Sequence, residues 1–178
     1  MTYVALLRGI NVGGNAKVEM ARLKQLFIGL GCTNVTTYIN SGNVIFADER
    51  TADQLVPLLE AAILTEFSLT VPIVVRSQQD IRALCQQIPT NWNNDEDQKS
   101  DVYFLMPDID NSNIITEITI NPDLETVCYV NGAILWNVSR QNAGKSQAHN
   151  LIKTKLYRQM TIRNVNTVRQ LDKLMQSN

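Results

Sequence analysis

Apolar positions follow two rhythms along this chain: short unbroken runs that suit buried strands, and stripes spaced three and four apart that suit helices. Residues 3–7 form the first run and predict a strand. Leu23, Leu26, Phe27 and Leu30 lie at helical spacing and predict a helix over 20–30, with Gly31 as its stop. Two short runs, 35–39 and 43–46, predict paired strands. Asn40-Ser41-Gly42-Asn43 lies at their junction and reads as a tight turn, because Asn and Gly tolerate positive φ. Thr51-x-x-Gln54 has the form of a capping box and opens a helix to residue 66. Its buried stripe is Leu55, Leu58, Leu59, Ala62 and Ile63, and Pro57 stands early enough to be tolerated with some distortion. A strand over 71–75 completes the order βαββαβ, that of the split-βαβ or ferredoxin-like unit.

The pattern then recurs. Ser77-x-x-Asp80 opens a connecting helix with Ile81, Leu84, Cys85 and Ile88 on one face, and Pro89 ends it. Residues 90–100 are polar and acidic, a loop from which Trp92 packs back on a core. A strand over 101–106 and a short helix bearing Ile114, Ile115 and Ile118 follow. Strands over 125–130 and 133–138 flank Asn131-Gly132, a type I′ hairpin signal. A helix over 146–157 with Leu151, Ile152, Lys155 and Leu156, a short strand over 161–164 and a helix over 166–175 with Val168, Leu171 and Leu174 inward finish the chain. The repeat is one of element order, since no residue-level repeat is evident. The expected fold is therefore α+β: two ferredoxin-like (βαββαβ-type) halves with antiparallel sheets, helices packed on one face, and a C-terminal helix. The expected boundaries are 1–76, a connecting helix and polar loop over 77–100, and 101–178.

Composition narrows the setting. The chain has 178 residues, enough for one sizeable core or two small ones. No window of about 18 apolar residues occurs, so no membrane helix is expected. Arg8 and the glycines interrupt the first apolar run too early for a signal peptide. Cys32, Cys85 and Cys128 are odd in number and lack metal-ligand spacing, which fits reduced thiols in a cytoplasm. The net charge of -1 hides an uneven distribution. Residues 140–178 carry eight Lys/Arg against Asp172 alone, whereas 91–139 carry nine acids against Lys99 alone. Residues 1–47 hold four bases and one acid, Glu19. Should the two basic ends meet, a local positive field arises on a nearly neutral protein. Otherwise these are solvated helix faces.

Three polar motifs stand where chemistry would sit. The first is the Arg8 to Lys17 loop between a strand and a helix. Backbone N–H groups at Gly13 and Gly14 face outward without a Cβ, a helix start adds free donors, and Arg8 and Lys17 supply cations. The glycine spacing matches neither a Walker A loop nor a dinucleotide loop. The second is the Ser41-Gly42-Asn43 turn. The third is Arg163-Asn164, a second cationic clamp with a candidate N-cap, Asn164 or Asn166. Each has a purely structural reading as connection, turn or cap. The functional reading makes them walls of one cleft for a small anionic, phosphorylated or carboxylate ligand. Arg8, Lys17 and Arg163 would be clamps, Gly13 and Gly14 donors, and Asn11, Asn43, Asn164 and Ser41 orienting groups. Any catalysis would act by electrostatic stabilisation.

Other chemistries find little footing. His149 is the one histidine, no metal-ligand cluster occurs, no Gly-x-Ser-x-Gly elbow is present, and no cofactor is expected. Tyr3, Tyr38, Phe46, Tyr103 and Phe104 fall in predicted strands but not in a basic-aromatic RNA-binding segment, so core packing is their expected use. The alternatives are a nucleic-acid binding module, suggested by the element order and the basic C-terminal segment, and a non-catalytic structural or partner-binding protein.

Several stretches point to a family. Leu6-Leu-Arg-Gly-Ile-Asn-Val-Gly-Gly14, Lys17-Val18 with Met20, Leu30-Gly31, Thr37-Tyr-Ile with Ser41-Gly-Asn-Val-Ile-Phe46, and Thr161-Ile-Arg-Asn164 with Thr167 resemble the bacterial family called domain of unknown function 1697. The resemblance spans essentially the whole chain and is most specific over 5–46 and 161–167. It implies an α+β fold with two ferredoxin-like halves and no particular activity. Family members usually carry more lysine in the loop and a proline before the methionine; here the segment is Asn15-Ala-Lys-Val-Glu-Met20.

Overall fold

The structure is a computed structural model that describes residues 1–13 and 16–177. The chain divides into two compact units, Met1–Ile81 with Leu171–Asn178, and Arg82–Gln170.

In the first unit, β1 (Thr2–Leu7), α1 (Met20–Gly29), β2 (Thr33–Tyr38), β3 (Asn43–Ala47), α2 (Ala52–Phe67) and β4 (Ile73–Ser77) follow the expected order. The sheet order is β2-β3-β1-β4, with every neighbouring pair antiparallel. That order is what a βαββαβ unit produces: β1 sits in the middle, flanked by β3 and β4. Central position explains its unbroken apolar run. Tyr3, Ala5 and Leu7 enter the helix-covered core, while Val4 and Leu6 alternate to the other face and are buried as well. Leu23 and Phe27 of α1 and Leu55, Leu59 and Ile63 of α2 complete the core. Phe27 meets Phe46 edge-on, ring centroids 5.2 Å apart. Leu58 and Ala62 are only partly buried, so the α2 stripe is narrower than predicted.

The helix ends are written locally. Gln54 Oε1 accepts from Thr51 N–H at 3.0 Å, the reciprocal arm of the predicted capping box. At the far end of α1, Gly31 takes φ +89°, its N–H bonds Ile28 O, and Cys32 N–H reaches back to Phe27 O, a Schellman stop. The 39–42 turn differs from expectation. Tyr38 pairs with Asn43, which leaves a four-residue loop whose positive φ falls on Ile39 (+49°) and Gly42 (+77°), not on Asn40.

The second unit holds β5 (Gln98–Leu105), β6 (Glu125–Val130), β7 (Ala133–Ser139) and β8 (Met160–Asn164) in the order β6-β7-β5-β8, again antiparallel throughout. β5 starts earlier than predicted and takes in part of the acidic stretch. Trp92 is buried, as expected. Its segment is held by Arg169, whose Nη1 and Nη2 donate to Trp92 O and Pro89 O at 2.7 and 2.9 Å, and by Arg140 Nε to Asp95 O at 2.7 Å.

Two predicted helices in this unit are replaced by shorter pieces. Residues Ser112–Glu117 form a 3-10 turn, and 146–157 break into α4 (Ala148–Leu151) and a 3-10 turn over Leu156–Gln159. Short polar side chains compete for the backbone in both places. Thr116 Oγ1 donates to Asn113 O at 2.7 Å, Thr154 Oγ1 donates to Leu151 O at 2.7 Å, and Tyr157 N–H donates to Thr154 Oγ1 at 3.2 Å. The Asn131-Gly132 hairpin is present, but only Gly132 has positive φ, so the turn is not type I′. Gly132 N–H donates to Asp110 Oδ1 at 3.1 Å, which holds the turn in its other form.

Two helices cross the division between the units, α3 (Gln78–Gln87) and α5 (Val165–Gln176). Ser77 and Asp80 cap α3 reciprocally, with Ser77 N–H on Asp80 Oδ2 at 3.0 Å and Asp80 N–H on Ser77 Oγ at 3.2 Å. In α5, Val165, Val168, Leu171 and Met175 are the buried apolar positions, Thr167 is buried beside them, and Leu174 is only partly covered.

Candidate functional site

The first two polar motifs lie against each other at the end of β1 in the first unit. Leu7 N–H donates to Gly42 O at 2.8 Å, and Arg8 N–H donates to Pro72 O at 2.9 Å. The chain therefore leaves the sheet wedged between the 39–42 turn and the start of β4. It then runs through positive φ at Gly9 (+71°), Asn11 (+55°), Gly13 (+63°) and Ala16 (+50°). Ile10 and Val18 are buried and anchor the two sides of the loop. Gly9, Val12, Gly13 and Lys17 are exposed, and Arg8 is half-buried. Gly14 lies outside the described residues.

Asn11 fixes this arrangement. Its Oδ1 accepts from Val18 N–H at 2.9 Å, closing the loop on itself. Its Nδ2 donates to Val18 O at 2.8 Å and to Asn40 O at 2.9 Å, latching the loop to the neighbouring turn. A carboxamide suits this place because it offers an acceptor and a two-hydrogen donor on one planar group, on a residue type that tolerates left-handed backbone. Asn43 is fully buried, and its Nδ2 donates to Tyr38 O at 3.0 Å and Ser41 Oγ at 3.1 Å. Both asparagine side chains thus hold the loop and the turn themselves. Gly42 is held by space as well as by φ. A Cβ there would stand 2.8 Å from Leu7 Cβ and 2.8 Å from Ile10 Cδ1.

The third motif belongs to the second unit. Asn164 Oδ1 accepts from Thr167 N–H at 2.8 Å and so caps α5; the cap is Asn164, not Asn166. Arg163 is buried, and its Nη1 donates to Ile162 O at 2.7 Å and Thr161 Oγ1 at 3.2 Å. Burial lowers its pKa to about 10.

The model of the family described as "Protein of unknown function (DUF1697)" matches residues 1–136. The chain belongs to the DUF1697 family. Among solved structures it is similar to the conserved bacterial protein SP0830 from Streptococcus pneumoniae, with 31% sequence identity, a TM-score of 0.85 and 98% of each chain covered. No curated protein matches the chain.

This DUF1697 protein also carries two polar clusters that sequence periodicity did not reveal. In the first unit, Arg50 Nε donates to Asp48 Oδ1 at 2.8 Å and its Nη2 to Asp48 Oδ2 at 2.6 Å and Leu30 O at 2.9 Å. The Arg50 hydrogen bonds hold the Asp48 carboxyl well below the usual carboxylate range. Cys32 Sγ meets Asp48 Oδ2 at 3.4 Å, and burial with that carboxylate pushes the thiol up to about 12, which keeps it inert. In the second unit, Glu125 is buried and receives Trp136 Nε1 at 3.1 Å, Ser146 Oγ at 2.5 Å and Asn121 N–H at 2.9 Å, with Gln147 N–H at 3.2 Å. It ties the head of β6 to the start of α4. A carboxylate at the first position of a predicted strand was its only trace in the sequence. Beside it, Asp101, Tyr103, Ser146 and His149 line a cavity of about 10 Å³, room for one water. Burial raises the pKa of both Asp101 and Tyr103.

Among the described residues, no group of three or more His, Cys, Asp or Glu could hold a metal ion. None of their helices is long and apolar enough to cross a membrane.

Proposed function

We propose that this DUF1697 protein binds a small anionic, phosphorylated ligand on the Arg8 to Lys17 loop, with the 39–43 turn as the adjoining wall. The observation that carries the reading is the Asn11 latch, which joins loop and turn through Val18 and Asn40. The Asn11 bonds tie Val18 and the neighbouring turn together before a ligand arrives, which lowers the ordering cost of binding. Lys17 is exposed, Arg8 is half-buried, and the backbone at Gly9 and Gly13 stands open, with nothing within 4 Å of an added Cβ. Two cations and open backbone at one loop match the charge and hydrogen-bonding pattern of a phosphoryl group. The proposal rests on the first unit alone. A cytoplasmic setting suits the three free thiols.

A thermal-shift screen against nucleotides, sugar phosphates and phosphorylated cofactors tests this. A ligand at 100 times its Kd adds about 2.7 kcal/mol of stability, a readily measured shift. Lys17→Gln should leave the unliganded Tm unchanged and shrink the shift, and Arg8→Gln with Lys17→Gln should abolish it. A blank screen, or a shift kept in full by the double variant, overturns the reading.

A further inference from the structure

Between Glu125 and Asp172 the chain carries no acidic residue, yet it carries seven Lys and Arg, all within 140–169. Three of the seven are committed to the fold. Arg163 is buried, Arg140 donates to Asp95 O at 2.7 Å, and Arg169 donates to Trp92 O and Pro89 O at 2.7 and 2.9 Å. The other four, Lys145, Lys153, Lys155 and Arg158, are exposed, and among the described residues their side chains enter no ion pair or hydrogen bond.

Local structure keeps these charges close. Their segment is α4 followed by tight turns, closed by Lys153 N–H to Asn150 O at 3.1 Å, Thr154 N–H to Leu151 O at 2.9 Å and Arg158 N–H to Lys155 O at 3.1 Å. A chain wound at about 1.5–2 Å per residue spreads Lys153, Lys155 and Arg158 over roughly 8–10 Å. The acids nearby do not neutralise them. Glu125 is buried and accepts from Trp136, Ser146 and Asn121. Asp101, on the cavity wall with Ser146 and His149, is paired with Lys99 at 3.8 Å. On an ordinary solvated helix, lysines find carboxylates three or four residues away. Here no carboxylate stands at that spacing, so a positive field covers this segment of a chain whose net charge is -1.

The chemistry of the partner follows from what the segment lacks. Docking on a membrane surface uses a continuous amphipathic helix, and α4 stops after four residues. An acidic protein would need large apolar or aromatic anchors at the centre of the interface, and Ile152 is the one exposed large hydrophobic of this segment. Single strands stack their bases on exposed rings, but Trp136 is buried and Tyr157 half-buried. Duplex RNA is read by shape across two successive minor grooves, a longer span than these turns offer. A DNA duplex presents about five backbone charges over 8–10 Å, a density that unpaired cations at this spacing can meet.

We infer that the 145–158 segment of the second unit is a sequence-independent docking surface for double-stranded DNA, with Lys145, Lys153, Lys155 and Arg158 on its phosphates. It uses no residue of the phosphoryl site proposed above and stands or falls independently of it.

Fluorescence anisotropy of a labelled DNA duplex of about 20 base pairs, titrated with the full chain at 50 and 200 mM salt, tests the inference. Four phosphate contacts give the logarithm of the binding constant a slope of about -3.6 against the logarithm of salt, so affinity should fall about 150-fold over that range. Lys153→Gln with Lys155→Gln should halve the slope and leave a fall of about 12-fold. The same pair should not lower Tm, since neither side chain has a partner to lose. Lys153→Arg with Lys155→Arg keeps both charges and should keep the wild-type slope. The inference is overturned by no binding at 50 mM salt, by a slope that the Gln pair leaves unchanged, or by binding lost in the Arg pair. Tighter binding to duplex RNA, single-stranded DNA, polyglutamate or vesicles of anionic lipid also overturns it.

Discussion

The Asn11 latch can be taken apart one atom at a time. Asn11→Ala removes the acceptor for Val18 N–H and the donor to Val18 O and Asn40 O. Each half-buried hydrogen bond contributes about 0.5–1.5 kcal/mol, and a left-handed alanine costs about 1 kcal/mol more than asparagine or glycine in that region. Water re-solvates part of this exposed loop, so the lower half of the sum applies, about 2.5–4 kcal/mol. Asn11→Gly loses the same bonds without the backbone cost and should fall short of the alanine variant by about 1 kcal/mol. Asn11→Asp is the informative one. Its first oxygen still accepts from Val18 N–H, but its second points at two carbonyl oxygens from the places now held at 2.8 and 2.9 Å by an N–H donor. At neutral pH the carboxylate repels both; once protonated, it can donate to one of them. Its folded pKa is therefore raised above the unfolded value of about 3.9, so the latch's stability is present below that value and lost as pH rises through the folded pKa. Urea denaturation from pH 3 to 8, with wild type alongside, reads this directly. An Asn11→Asp variant as stable as wild type at pH 7, or with an unchanged pH dependence, would refute the reasoning.

Three further outcomes follow from the same contacts. Gly42→Ala should cost about 2–5 kcal/mol, combining a left-handed alanine with overpacking against Leu7 and Ile10, whereas Gly9→Ala should cost no more than about 1–2 kcal/mol, measured by denaturant unfolding. Glu125→Ala strands the donors of Trp136, Ser146 and Asn121 and should cost about 3 kcal/mol, with Trp136 fluorescence changing in the native baseline. Asp48 has its pKa lowered by Arg50, so the stability it contributes is present above the unfolded pKa and lost as pH falls through the folded one. Asp48→Asn should flatten the acid limb of the Tm-against-pH curve, and an unchanged limb would show that this pair does not drive acid unfolding.

Much of the fold was legible because its signals are local. The Thr51–Gln54 box, the Gly31 stop and the apolar run of β1 each state their element within a few residues, and the order βαββαβ then leaves β1 at the sheet's centre. The failures have a shared cause. The 146–157 segment has helical spacing, but Thr154 and its neighbours bond their own backbone and break the helix into pieces. Both hairpins were placed correctly, yet their dihedrals were misassigned, because Asp110 and the Leu7–Gly42 contact constrain the turns from outside. At the candidate site, the sequence singled out the loop and the turn but gave Asn11 and Asn43 outward roles. Only the spatial neighbours Val18, Asn40 and Tyr38 reveal that these side chains face inward.

The sequence by itself determined the element order, the antiparallel sheets and the family, since each depends on spacing and composition within short windows. Tertiary structure decided which polar groups are committed to the fold. The bond that joins loop to turn links partners distant in the chain, 29 residues apart for Asn11 and Asn40. No local pattern encodes such a pairing; it exists only once burial has brought the backbone segments together.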